Sequence, residues 1–113
     1  MHLILILALM DPADFASVYA GGLSPAQVAI ASVVQRPITA AALGEATTVD
    51  PPAATPKWEI VALQDNAIPT KAEFFMASRA HANVVTVNSG HDVPAAAPLV
   101  VDSVILRAAQ SAG

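Results

Sequence analysis

The chain has no cysteine, which excludes a disulfide framework, a cysteine-ligated zinc and thiol catalysis. The redox compartment stays open, because a chain without thiols suits either side of a membrane. Charge is scarce as well. Charged residues make up 12% of the chain, against about 25% in ordinary soluble domains, so there is little polar surface with which to cover an isolated globule. The Lys and Arg residues number five and the net charge is -4. Arg36, Lys57, Lys71, Arg79 and Arg107 are scattered, whereas phosphate binding needs clustered cations. No nucleic-acid partner is expected. The three histidines share no metal-ligand spacing, so no metal is expected either. Neither a G-x-G-x-x-G nor a G-x-x-x-x-G-K-[ST] motif occurs, and no nucleotide or other cofactor has support.

Long hydrophobic runs are missing too. Residues 3–10 (LILILALM) are apolar, but a bilayer-spanning helix takes about 20 such residues. A secretory signal would add a basic flank and a small-residue cleavage site; His2 precedes the run instead. No membrane partner is expected, and a cytoplasmic location is mildly favoured. Residues 1–11 thus form an apolar segment open to three readings: a buried strand, the start of a buried helix, or sequence from an unusual start codon.

What is present is 55% hydrophobic residues, many of them alanine, in two textures. Residues 12–44 read as helical. Asp11-Pro12 and Ser24-Pro25 each pair an N-cap with a proline at the first helical position, and Gly21-Gly22 separates the two helices. Phe15, Val18 and Tyr19 share one face of the first; Val28, Ala29, Ser32 and Val33 keep helical spacing in the second until Pro37. A third helical piece is expected near residues 38–43. Residues 45–57, rich in threonine and proline, form a linker.

From Trp58 the pattern alternates. WEIVAL is a nearly continuous apolar strand of the doubly covered kind. Thr70-Lys71-Ala72-Glu73 reads as a capping box opening a helix with Phe74, Phe75, Met76 and Ala77 as its core and surface. Asn83 begins a second, β-branched strand, residues 88–97 form a loop, and Pro98 opens a last helix with Val100, Val101, Val104, Ile105 and Ala108 as its apolar stripe. Trp58 is expected to pack at the strand start. Strand, helix, strand, helix makes a βαβα unit with parallel strands, and the fold class is α/β. Two parallel strands alone leave both as edges, so marginal stability, self-association or aggregation is expected unless further strands are supplied.

In open parallel sheets ligands bind at the carboxyl ends of the strands. Asp65 follows the first strand and His91 the second, so both emerge on the same rim. There a carboxylate can hold an imidazole in one tautomer while its other nitrogen faces a nucleophile. The plain alternatives are a loop aspartate bonding its own backbone and a surface histidine. His81, at a helix end, suits the macrodipole; Asp92 reads as a solvated loop residue.

The pair also carries a resemblance. Asp65-Asn66-Ala67-Ile68-Pro69 matches the D-x-x-[IV]-P loop, and Gly90-His91 the G-H turn, of the serine-esterase type of α/β-hydrolase. Gln35-Arg36-Pro37-Ile38 is similar to lid sequence in bacterial members. The resemblance implies the C-terminal half of such an enzyme, a partial α/β-hydrolase fold with a helical lid-like segment at residues 12–44. It implies Asp65 as orienter and His91 as general base acting on a small-molecule ester. The G-x-S-x-G nucleophile elbow that should come first is not in the sequence. Gly22-Leu23-Ser24-Pro25-Ala26 fails, because Pro25 has no N–H for the oxyanion, no strand precedes it and Ala26 replaces the last glycine. The chain is therefore expected to be inactive alone. Its partner would be a separately encoded N-terminal half, or a second copy in the alternative reading, a non-catalytic module that oligomerises through its open sheet edge.

Overall fold

The computed structural model describes residues 6–113. The chain has mixed α/β content: two small two-stranded sheets, one antiparallel and one parallel, with helices around them. His2 and the first part of the apolar run at residues 3–10 lie outside the described residues. The rest of that run is not buried. Leu7–Ala8 form a short strand, β1, paired antiparallel with β2 at Ile38–Thr39, and Ile6, Leu7 and Leu9 are each more than half exposed. The Gln35 side-chain amide fixes the end of β1, accepting from Met10 N–H at 3.0 Å and donating to Met10 C=O at 3.0 Å.

Helix α1, Pro12–Asp14, starts as its sequence directs, with the Asp11 carboxylate accepting from the Ala13 N–H. It then widens into a π turn at Phe15–Tyr19, closed by Ala20 N–H to Phe15 C=O at 2.9 Å. The wider turn buries Phe15 and places its ring 5.1 Å from that of Tyr19. Helix α2, Pro25–Val33, has the full reciprocal cap between Ser24 and Gln27, each satisfying a backbone N–H of the other. The third helical piece starts later than its sequence pattern predicts. Ile38 and Thr39 are β-branched and follow a proline, so they extend as β2, and Thr39 then caps α3, Ala40–Gly44. Residues 45–57 contain neither helix nor strand.

The parallel sheet joins β3, Trp58–Ala62, to β4, Asn83–Val87, with Trp58 opposite Asn83 and Ala62 opposite Val87. Between them runs α4, Thr70–Ala80. Its start corrects the expected capping box. Pro69 is the N-cap and makes no side-chain cap bond; the Thr70 hydroxyl instead donates to the Ala62 carbonyl at 3.2 Å. Of the residues expected to share core and surface, only Ala77 is fully inside. Glu73 and Ala77 are inside, while Phe74, Phe75 and Met76 are 42%, 62% and 45% exposed. The first turn of α4 is bound to β3 through Ala62, which orients the Glu73–Ala77 stripe to the sheet and turns the phenylalanines outward. His81 ends the helix in the left-handed conformation, φ 54°, with Ala82 N–H bonded to Ala77 C=O in the manner of a Schellman cap.

The expected loop at residues 88–97 contains a short helix, α5, Val93–Ala96, and α6 spans Pro98–Ala112. Val104 is the buried centre of the α6 stripe, but Ile105 is 60% exposed and falls outside it. Trp58 packs under the Arg107 guanidinium, 5.1 Å from the ring centroid, a cation–π contact. The core is thin. Val61 is the one large side chain that is fully buried among the described residues, and the radius of gyration of 16.4 Å exceeds the ~13 Å of a compact domain of about 100 residues.

The two textures of the chain meet where two glycines touch. A Cβ on Gly90 would sit 2.6 Å from the Gly21 carbonyl oxygen, backbone that cannot swing aside. Gly90→Ala should therefore lower stability by about 1–3 kcal/mol, the usual cost of overpacking. Gly44→Ala, with nothing within 4 Å of the new methyl, should lose no more than about 0.5 kcal/mol. Urea denaturation midpoints of the two variants check this, and equal midpoints would refute the close packing.

Candidate active site

Asp65 follows β3 and His91 follows β4. Parallel, in-register pairing brings both to the same rim of the sheet although they stand 26 residues apart. Their side chains meet there, with His91 Nδ1 2.7 Å from Asp65 Oδ2. The other carboxylate oxygen, Oδ1, accepts the backbone N–H of Ala67 at 2.7 Å and of Ile68 at 2.8 Å. Asp65 therefore makes two kinds of contact at once, one oxygen closing its own turn and the other bonded to the imidazole. An ionised carboxylate only accepts hydrogen bonds, so Nδ1 carries the proton and the Nε2 lone pair is left for another partner.

Burial pushes the Asp65 carboxyl up, but the Ile68 N–H, the His91 ring and the Ala67 N–H together outweigh it and hold the group below the usual aspartate range. The side chain is 1% exposed, whereas that of His91 is 29% exposed. The acid is thus enclosed and ionised, and the imidazole is its outlet to a cleft.

That cleft, of about 610 Å³, is lined by Met10, Phe15, Tyr19, Ala31, Val34, Gln35, Arg36, Ile38, Leu43, Ala67, Ile68, His91 and Asp92. Residues 10–43 supply one wall, and the Asp65 and His91 loops supply the other. Several contacts bind the two walls. Asp92 N–H donates to Tyr19 C=O at 3.1 Å, Asn66 Nδ2 donates to Ser17 C=O at 2.9 Å, and the Tyr19 ring lies 5.1 Å from the His91 ring at 58°. Asp92 is half-buried in the cleft wall and not the solvated loop residue its sequence context indicates. His81 stands at the far end of α4, away from this cleft.

Among the described residues no serine or threonine lines the cleft. Ser24 is engaged as the α2 cap. The Ser89 hydroxyl, buried beside the histidine loop, donates to the Gly90 carbonyl at 3.1 Å. Among the described residues no group of three or more His, Asp or Glu side chains is placed to hold a metal ion, and no helix is long and apolar enough to cross a membrane.

Four residues escape a reading of the sequence. Tyr19 reaches the imidazole only because the π turn rotates it there, for which the sequence carries no marker. Gly21 and Gly90 bear on the site through their mutual contact, and each reads locally as an ordinary turn glycine. Glu73 is buried with Oε2 unpaired; burial raises its carboxyl above the ordinary range, opposed by the nearby Ala62 N–H and reinforced by the Asp65 charge. Comparison with models of known families, with curated proteins and with solved structures finds no match.

Because the folded chain lowers the pKa of Asp65, the ionised acid stabilises the fold above the ordinary aspartate value. That contribution disappears as pH falls through the lower folded value. In Asp65→Asn this component is absent. The gap in urea midpoint between wild type and variant should be widest at about pH 5 and above and shrink below about pH 4. A gap independent of pH would show that Asp65 stabilises the fold by geometry alone.

Proposed function

We propose that the chain is the acid- and histidine-bearing part of an α/β-hydrolase of the serine ester hydrolase class, inactive without a nucleophile supplied from outside these residues. The observation that carries this reading is the 2.7 Å bond from His91 Nδ1 to Asp65 Oδ2, with Oδ1 locked by two backbone amides. A carboxylate held in this way fixes the imidazole tautomer and stabilises the imidazolium when it forms. His91 Nε2 would take the proton from an incoming serine hydroxyl as its oxygen attacks the ester carbonyl, then return it to the departing alkoxide. Asp65 keeps its charge throughout. The resemblance of the Asp65–Pro69 loop and the Gly90-His91 turn to the serine-esterase pattern agrees with these roles, and the cleft beside His91 is the place where the ester would lie.

The test is hydrolysis of p-nitrophenyl acetate. The purified chain alone should not exceed the buffer rate. Mixed with an N-terminal α/β-hydrolase half carrying G-x-S-x-G, it should gain activity that His91→Ala reduces by about 10²–10⁴-fold, the range for losing a general base. Activity of the mixture that survives His91→Ala would overturn the assignment.

A second reading, a non-catalytic module that self-associates through its sheet edge, has its own observation. Lys57 and Leu63 bond to β4, so by alternation the N–H and C=O groups of Trp58 and Ile60 face the opposite side, where no strand pairs among the described residues. Ile60→Pro removes one outward N–H and leaves the β4 ladder intact. In this reading it should convert an oligomer to monomer by sedimentation, and an unchanged mass would count against the edge.

A further inference from the structure

We propose that Glu73 is a positioning residue of the rim, an enclosed carboxylate that stabilises the positive charge His91 carries when it takes up a proton. The side chain belongs to the first turn of α4 and is 8% exposed. That turn is fixed to the end of β3. The Thr70 hydroxyl donates to the Ala62 carbonyl at 3.2 Å, and the same carbonyl accepts the Asp65 N–H at 3.3 Å. Glu73 in turn takes the Ala62 N–H. The polar groups of one residue, Ala62, thus tie Glu73, Thr70 and the Asp65 loop together, and Asp65 holds His91 Nδ1 at 2.7 Å.

The Glu73 charge has no direct counterweight. Oε2 is buried without a hydrogen-bond partner, and among the described residues no Lys or Arg pairs with the carboxylate. Lys71 shares the first turn of α4 but is exposed. Arg107 lies over Trp58, which strand alternation puts on the opposite face of β3 from Glu59. Asp92, next to His91, lines the cleft. The charged groups that bear on Glu73 are Asp65, Glu59 and His91. Two of these are acids, so the imidazolium is the source of positive charge within the cluster. Burial raises the Glu73 carboxyl, the Ala62 N–H opposes this, and Asp65 and Glu59 reinforce it; a protonated His91 acts in the opposite sense. Such coupling is reciprocal. Whatever the imidazolium does to favour an ionised Glu73, the ionised Glu73 does equally to favour the imidazolium. In acyl transfer the imidazole becomes an imidazolium, and Glu73 would stabilise it without touching the ester. That role in catalysis rests on the hydrolase reading, whereas the coupling itself does not.

The experiment is an NMR pH titration of the full chain at low salt, following the His91 ring and the Glu73 carboxyl carbon. Glu73→Gln keeps the shape of the side chain and an acceptor for the Ala62 N–H. In this variant the imidazole titration should move to lower pH by at least about 0.3 unit, a twofold change in proton affinity. In His91→Gln the Glu73 titration should move to higher pH by a similar amount, and this arm serves if Glu73→Gln does not fold. Asp50→Asn removes an acid beside His81 at the far end of α4, and should move the imidazole titration by less than about 0.1 unit. An imidazole titration that stays in place in Glu73→Gln, even with a lower urea midpoint, would make Glu73 a structural carboxyl only and overturn the proposal. So would an unmoved Glu73 titration in His91→Gln, or an equal shift from Asp50→Asn. Failure of hydrolysis in the complementation assay leaves these titrations unaffected, and absence of coupling leaves the roles of Asp65 and His91 standing.

Discussion

The rim of the sheet depends on the division of labour between the two oxygens of Asp65. Oδ1 turns the chain after β3 by gathering two backbone amides, and Oδ2 draws in the loop after β4 through His91. A hydrogen bond to a charged group contributes about 1.5–3 kcal/mol, and this carboxylate accepts three. In a chain with so little fully buried side chain, such a cluster is a large share of what holds the two loops together. Removing one oxygen's partners does not simply weaken a bond; it leaves an enclosed negative charge less compensated, and that is the costlier event.

The first part of the chain completes the same place from above. The π turn sets Tyr19 against the imidazole, and the Gly21 backbone rests on Gly90 with no space for a side chain. The Tyr19 and Ser17 carbonyls take donors from the two loops. Each contact is modest, and together they make the cleft a joint product of residues 10–43 and the rim. The exposed apolar residues elsewhere, such as Val33 on α2 and Leu99 on α6, agree with a composition poor in charge.

Much of this was legible in the residues. Asp11-Pro12 and Ser24-Pro25 are strong local signals, because a side-chain cap and a fixed φ act within one turn. The Asp65–His91 meeting was legible because equal strand positions in a parallel pair bring successive loops to one rim. The failures have a common cause, which is that tertiary packing overrides a local pattern. Thr70 and Glu73 have the spacing of a capping box, but the Ala62 backbone lies closer to hand and takes both side chains. The residues of α4 do not by themselves divide Phe74, Phe75, Met76 and Ala77 between core and surface, because the orientation of the helix is set by its attachment to β3. Two of the three readings open for the run at residues 3–10 bury it, but its last part pairs with two residues as a short strand and stays largely exposed.

The attachment of α4 at Ala62 has a further consequence. Thr70 bonds the outward carbonyl of Ala62, and Glu73 lies against its outward N–H. A cross-β fibril grows by stacking strands whose every backbone group pairs with the layer above, over segments of about six or seven residues. On β3 such a stack would have to stop at Ile60, since the next outward pair is already engaged from within the chain. The outer edge of β3 is thereby kept too short to template a fibril for as long as the first turn of α4 remains folded.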